Sequence, residues 1–343
     1  MRRETIRIGI IGAGENTKTR HLPRLQEIDG VKMISVCNRS KESGEKVAKE
    51  FDIPRVYEDW HDVIYDDDIN AIVIGTWPYL HAPATLLAFE HDKHVLCEAR
   101  MAMNAREAHD MLSASQAKPH LVAQIVPSPF TLGLDDAINK ILAEGRIGRP
   151  LAIEVRDGGS FVDSEAPLHW RQDFDLSGYN VMTLGIWYEC IMRWLGEATS
   201  VMAMGQTFVK TRMDAQKHHK AVRVPDHLDV IAEMANGAQM HMQISSATGL
   251  AGPTELYIFG ESGTLKIADG KIFGAQKNTD EFQEIPVPDE LEGHWRVEEE
   301  FINAIRGAEK IKLTTFQQGV KYMEFTEAVA RSMVSGQKIN LPL

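Results

Sequence analysis

Over the first 125 residues, short apolar runs alternate with segments of helical spacing. The runs are Ile6 to Ile11, Val31 to Cys37, Ala71 to Ile74, His94 to Cys97 and Leu121 to Val126. Between them, His21 to Ile28, Glu42 to Phe51, Pro83 to Glu90 and Ala105 to Ala117 carry apolar residues three and four apart. Continuous apolar strands alternating with helices predict a parallel sheet covered on both faces.

The rhythm changes after Pro127. Asp135 to Ala143 is helical, and Gly145 and Gly148 punctuate the chain that follows. Strand-like runs then occupy Leu151 to Val155, Val201 to Lys210, Val230 to Met234, Gln239 to Ile244, Leu256 to Phe259 and Thr264 to Ile267. Asn236-Gly237 is a hairpin signal. Helical spacing returns at Thr183 to Leu195, Glu298 to Ile305 and Phe316 to Ser335. The expected fold class is α/β: a doubly wound parallel sheet over residues 1–126, then an α+β domain over 127–343 with a large open, mostly antiparallel sheet.

The length of 343 residues suits two domains, and 43% apolar with 25% charged residues is the balance of a globular protein. A net charge of -12 argues against nucleic acid or an anionic membrane as partner, since both favour a basic face. No apolar stretch reaches the roughly eighteen residues of a membrane span. Met1 to Thr5 runs into the first strand with no leader pattern, so the expected location is the cytoplasm. Cys37, Cys97 and Cys190 are odd in number and form no CxxC pair, which points to buried thiols in a reducing compartment. His218-His219, His227 and His241 lack the spacing of a metal site, so no metal is expected. There is no GxSxG elbow for a serine nucleophile.

Gly9-Ile-Ile-Gly12-Ala13-Gly14 follows the first strand and precedes the first helix, the setting a dinucleotide fingerprint requires. Gly12 permits the tight turn, Gly14 lets the backbone approach a pyrophosphate, and Glu15, Asn16 and Thr17 open the helix whose N-terminus faces that charge. Thr17 stands where the third glycine is usual, which implies altered helix–strand packing rather than lost binding. The first domain is therefore read as a Rossmann domain for NAD or NADP. The second strand ends in Asn38-Arg39-Ser40-Lys41 instead of an acidic residue, which tilts the choice toward NADP because arginine suits a 2′-phosphate.

Several segments in order resemble the glucose-fructose oxidoreductase / inositol dehydrogenase / rhizopine-catabolism (Gfo/Idh/MocA) family. They are Ile8-Gly9-Ile10-Ile11-Gly12-Ala13-Gly14, Arg20-His21-Leu22-Pro23, Thr76-Trp77-Pro78 with His81, Val95-Leu96-Cys97-Glu98, Gly145 to Gly148, Gly237-Ala-Gln, Phe259-Gly260 to Leu265, and Phe301 to Ile305. The resemblance covers nearly the whole chain. It implies NAD(P), with Thr76, Trp77, His81 and Glu98 beside the cofactor. It also implies substrates that are mostly sugars, cyclitols or their derivatives, and a sheet face that often builds homodimers or homotetramers.

The departures fall on the family's chemistry. Its Glu-Lys-Pro reads Glu98-Ala99-Arg100 here, and its Asp-x-Gly-x-His helix reads Thr183-Leu184-Gly185-Ile186-Trp187. Neither Thr183 nor Trp187 titrates near neutrality, and Arg100 keeps its proton. Alcohol oxidation still needs a group to take the hydroxyl proton. His169 is the first candidate, being the one side chain type that titrates near pH 7 unperturbed; Tyr188 and Arg100 are the others. Arg171, Asp173, Asn180, Thr183 and Trp187 are candidate substrate contacts, with Trp187 as a surface on which a sugar ring stacks. Three functions fit: an NAD(P)-dependent oxidoreductase on a polyhydroxy compound with a non-standard acid/base set, an enzyme of another class that recycles its cofactor internally during elimination or glycoside hydrolysis, and a non-catalytic dinucleotide- or sugar-binding protein.

Overall fold

The structure, a computed structural model, describes residues 5–343. The start read above as free of a leader, Met1 to Thr5, lies outside the described residues apart from Thr5. The chain forms two compact units, Met1–Pro127 with Arg296–Val320, and Ser128–Trp295 with Lys321–Leu343.

In the first unit, β1 (Ile6–Ile11) leads through a π-helical turn, Thr17–His21, into α1 (Leu22–Glu27). Then come β2 (Val31–Cys37), α2 (Lys41–Glu50), β3 (Arg55–Tyr57), α3 (Trp60–Tyr65), β4 (Ala71–Ile74), α4 (His81–Glu90), β5 (His94–Cys97), α5 (Ala105–Ala117) and β6 (Ala123–Ile125). The strands pair in parallel in the order 3-2-1-4-5-6, the doubly wound arrangement. Ile8, Ile10, Ile72, Val95 and Leu96 are fully buried because helices cover both faces, which is why these strands read as unbroken apolar runs. β3 escapes the hydrophobic pattern: it has three residues, and none is buried.

In the second unit, α6 (Asp135–Ala143) precedes β7 (Pro150–Gly159), α7 (Phe174–Ser177) and α8 (Leu184–Leu195). The strands β8 (Ala198–Gln206), β9 (Thr211–Met213), β10 (His219–Ala221), β11 (His227–Met234), β12 (Gln239–Gly249), β13 (Glu255–Gly260), β14 (Gly263–Ala268), β15 (Lys271–Gln276) and β16 (Gln283–Ile285) follow. α9 (Val297–Ile305) and the start of α10 (Phe316–Ser335) fall in the first unit, and the rest of α10 with β17 (Ile339–Asn340) closes the second. Nine strands form one sheet in the order 16-15-14-13-7-12-11-8-17, antiparallel except for the β7–β12 pair; β9 and β10 form a separate hairpin. On β11, Leu228, Val230, Ala232 and Met234 point into the core while Asp229, Ile231 and Glu233 alternate outward. Behind the sheet, the Tyr188 ring of α8 stacks on Phe325 of α10 with centroids 3.7 Å apart.

α9 belongs to the first unit, whereas the apolar pattern gives all of 127–343 to one domain. The return has a physical cause. α9 buries Phe301 and Ile302, and the Glu300 carboxylate accepts from Nε2 of Gln124 in β6 at 2.7 Å. A second difference bears on the site. The apolar run ends at Val155, but β7 continues through the polar Arg156 and Asp157 to Gly159.

Candidate functional site

β1 ends one residue before Gly12, whose φ of 83° favours glycine. A Cβ at Gly12 would lie 2.6 Å from Thr76 Cγ2 and 2.9 Å from Thr76 N. The Gly12 N–H donates to Cys37 O at 2.8 Å and ties the turn to β2. At Gly14 a Cβ would meet nothing nearer than Gly75 O at 3.7 Å, so a ligand can approach the backbone there. Thr17 is buried, and its hydroxyl donates to Gly12 O at 3.3 Å. The close approach that a third glycine would allow has moved to Gly75, where a Cβ would sit 2.1 Å from Thr17 Oγ1 and 2.3 Å from Gly12 O. The loop thus keeps its tightness with the glycine placed after β4. The residues present fit a dinucleotide: a bare backbone at Gly14, a helical start behind it, and a cleft alongside.

That cleft has a volume of about 530 Å³ and is walled by the Gly12–Gly14 loop, Arg39, Ser40, Glu58, Thr76 and Trp77. The Arg39 guanidinium lies 5.8 Å from the Trp77 ring centroid. Asn38 is a strut: its Oδ1 accepts from Ala13 N at 2.6 Å and its Nδ2 donates to Ser43 Oγ at 2.9 Å. Ser40 caps α2 by accepting from Ser43 N, and Lys41 pairs with Glu58 at 2.8 Å. Glu15 is exposed and pairs with Lys18. His81 is fully buried, its Nδ1 2.9 Å from Arg100 O and its Nε2 3.0 Å from Thr76 O. Burial lowers its pKa below the usual histidine value, so the neutral ring donates to one of these carbonyls at a time. It fixes Thr76 from behind.

Glu98 closes the same loop. Its Oε1 accepts from Asn16 Nδ2 and from His21 Nε2, the latter at 3.0 Å, and its Oε2 accepts from Ala99 N at 3.1 Å. His21 Nδ1 lies 2.5 Å from Glu298 Oε1 on α9. Burial opposes charge on His21, but the two carboxylates outweigh it and raise the pKa from 6.5 to about 9. His21 is therefore a buried imidazolium between two glutamates. Glu98 is also opposed by burial, and His21 and Asn16 hold it below the usual carboxylate value.

In the second unit, His169 is exposed and starts a short helical turn: its Nδ1 accepts from Arg171 N at 3.3 Å, and its N–H donates to Gln172 Oε1. Partial burial and the Arg171 charge lower its pKa. The Arg171 guanidinium lies 4.2 Å from the centroid of the Trp170 ring. Asp173 accepts from Lys220 Nζ at 2.7 Å and caps α7 through Asp175 N. Asn180 is buried and donates to Ser177 O. It lies in the turn before α8, where its side chain is taken up by that turn and not offered to a ligand as expected from the sequence. Thr183 Oγ1 and Trp187 Nε1 both donate to Asp157 Oδ2 on β7, at 2.6 and 2.8 Å, and Thr254 Oγ1 donates to Asp157 Oδ1 at 2.9 Å. Among the described residues, no group of three or more His, Cys, Asp or Glu is placed to hold a metal, and no helix is long and apolar enough to cross a membrane.

The model of the oxidoreductase family with an NAD-binding Rossmann fold matches residues 6–124, and that of the GFO/IDH/MocA C-terminal domain matches 136–266. The chain belongs to the Gfo/Idh/MocA oxidoreductase family. Trans-1,2-dihydrobenzene-1,2-diol dehydrogenase of Bos taurus is 25% identical over 286 residues, covering 77% of this chain and 80% of that one. Inositol 2-dehydrogenase of Burkholderia lata is 22% identical, covering 82% and 79%. Among solved structures, levoglucosan dehydrogenase in complex with NADH and L-sorbose superposes with a TM-score of 0.84 at 21% identity, covering 98% of this chain and 99% of that one. The WlbA dehydrogenase from Bordetella pertussis in complex with NADH and UDP-GlcNAcA gives 0.82 at 19%, covering 99% and 100%.

This Gfo/Idh/MocA chain is thus an oxidoreductase-family protein with an NAD-binding first domain followed by the family's C-terminal domain. Tyr188 is 1% exposed, its hydroxyl accepts from Ala198 N at 2.8 Å, and burial raises its pKa. That environment makes it a packing residue with no access to a ligand. Arg100 is buried, and its carbonyl oxygen lies within reach of His81. Sequence reasoning missed Asp157, Thr254, Phe130, Glu298 and the ionic role of His21. The only local signal for Asp157 is its place before the Gly158-Gly159 pair.

Proposed function

We propose that the chain is an NAD(P)-dependent oxidoreductase acting on a sugar, cyclitol or related polyhydroxy compound. It works in the cytoplasm as a homodimer or homotetramer. The glycine loop carries this reading: Gly12 and Gly75 let the loop close tightly on the turn after β4, and Gly14 leaves bare backbone where a pyrophosphate would lie, beside a cleft of about 530 Å³. The nicotinamide, when bound, supplies the hydride acceptor or donor. Arg39 and Ser40 hold the adenosine side, and Glu98, fixed by Asn16 and His21, borders the loop. The proton released as a hydroxyl becomes a carbonyl goes to His169. Nδ1, which accepts from Arg171 N at 3.3 Å, is the lone-pair nitrogen of the neutral ring, so the ring takes the proton there and gives up that long contact. Arg171, stacked on Trp170, borders the polyol. The outward sheet face, with Met202, Met204 and Ile231 each at least half exposed, supports self-association. The three free, buried cysteines suit a reducing compartment.

Arg39 favours NADP, since Lys41 is already paired with Glu58 and Asn38 is already tied to the loop. Arg39→Ala should weaken NADP about tenfold, the value of a charge-assisted contact, and leave NAD nearly unchanged. Equal losses for both cofactors in a fluorescence titration would remove the preference.

The deciding experiment is to denature the purified protein, quantify released nucleotide, and follow NAD(P)H with a panel of polyols. Net cofactor reduction, with kcat falling about a hundredfold in His169→Gln, supports the dehydrogenase. Failure to bind either NAD or NADP rejects it. The non-titrating Thr183 and Trp187 favour one second reading, internal recycling of a retained cofactor. It is identified by tightly held nucleotide and turnover with no net NAD(P)H change.

A further inference from the structure

We infer that Asp157 is the anchoring residue for a neutral polyhydroxy substrate and that its cluster excludes substrates bearing a carboxylate. The inference rests on the oxidoreductase reading and names the ligand class of the second unit.

A carboxylate accepts hydrogen bonds only and has about four lone-pair sites on its two oxygens. Three are occupied on Asp157, by Thr183 Oγ1, Trp187 Nε1 and Thr254 Oγ1. One remains, on Oδ1, and the side chain is half-buried, so the site is held in place yet reachable. Both threonine hydroxyls give their protons to Asp157, which leaves their oxygens as acceptors. Trp187 has no second donor, so its ring can offer only its π-system. Phe130 packs on it with centroids 5.0 Å apart and is 42% exposed. Trp187 itself is only 7% exposed, so the aromatic surface beside this row of acceptors is the Phe130 ring that covers it and not the Trp187 face expected from the sequence. A polyol supplies what such a surface lacks, several O–H donors on an apolar ring. An acid supplies further acceptors and a like charge.

The same contacts explain why Thr183 and Trp187 occur together. Thr183 stands at the N-cap of α8 and Trp187 four residues on in its first turn, so both reach one carboxylate oxygen from the start of the helix. The charge of the site is carried by the strand, and the helix holds it in place.

The test is calorimetric titration of the full chain, with and without NADH, using D-glucose, myo-inositol and levoglucosan as neutral probes and D-glucuronate and D-gluconate as acids. The wild type should bind at least one neutral probe about tenfold or more better than the acids, because like charges are rejected. Asp157→Asn replaces an acceptor with a donor and removes the charge. It should weaken neutral binding and bring the neutral-to-acid ratio close to one, at an unchanged dinucleotide affinity. Thr254→Val removes one fixed donor and keeps the charge, so it should weaken binding and preserve the ratio. That variant and the wild-type ratio still decide the matter if Asp157→Asn does not fold. Acids binding as well as neutral probes in the wild type, or an Asn variant with the ratio intact, would overturn the inference. So would NADH binding with no polyol binding, which leaves the dinucleotide reading standing; loss of NADH and NADPH binding would instead remove the functional reading itself.

Discussion

Gly12→Ala should lower dinucleotide affinity about a hundredfold, equivalent to about 3 kcal/mol, and should destabilise the fold by a similar amount. Two penalties combine. Alanine at a φ of 83° is strained by about 1–2 kcal/mol. Its Cβ would also stand 2.6 Å from Thr76 Cγ2 and 2.9 Å from Thr76 N, and the second of these is backbone that cannot turn away. The loop must shift, and the N–H groups that would meet a pyrophosphate shift with it. Gly14→Ala separates the two effects. Its Cβ would make only an ordinary contact with Gly75 O at 3.7 Å, so melting should change by less than about 1 kcal/mol, while affinity still falls because the methyl group occupies the ligand's approach. NADH and NADPH fluorescence titrations with parallel thermal melts read both quantities. Wild-type affinity in Gly12→Ala would mean that this loop does not hold the dinucleotide.

Stability should fall on the alkaline side through the titration of His21. Its pKa is raised from 6.5 to about 9 in the folded chain. A raised folded pKa means the native state binds the proton more tightly, so the stabilisation is fully present below about pH 6.5. It declines as the pH rises and is lost above about pH 9. A shift of that size corresponds to about 3 kcal/mol, as an order of magnitude. His21→Ala should cost about 3–5 kcal/mol at neutral pH, because Glu98 and Glu298 would face each other buried with no cation between them. Glu298→Gln should lower the alkaline midpoint while leaving the fold intact, since the glutamine still accepts from Nδ1. Urea melts between pH 6 and 10 read the slope. A stability that stays level from pH 7 to 10 would show that His21 is not an imidazolium.

The two sites differ in how far they can be read from order along the chain. The glycine loop is local: Gly12 and Gly14 lie on one turn between one strand and one helix, so their spacing already states their geometry. Even there, the compensation for Thr17 is not local, because Gly75 comes from the turn after β4 and meets Thr17 only when β1 and β4 pair. The placing of Thr183 and Trp187 four residues apart on a helical segment is legible in the sequence, but their common partner is not. Asp157 lies 26 residues before Thr183 and Thr254 lies 97 residues after Asp157. Lone polar residues on a strand carry no periodic signature.

The sequence by itself determined the class of fold, the family, the dinucleotide loop and the loss of the usual lysine, aspartate and histidine. These are properties of period, composition and short motifs, which depend on neighbours within a few residues. Only the tertiary structure decided that Tyr188 is core, that Asp173 is taken up by Lys220 of β10 and Asn180 by Ser177 of its own loop, that α9 returns to the first unit, and that Asp157 gathers Thr183, Trp187 and Thr254. Those outcomes depend on strand order and on β7 outlasting its apolar run. A hydrogen bond between residues far apart in sequence forms only after the sheet has set their distance.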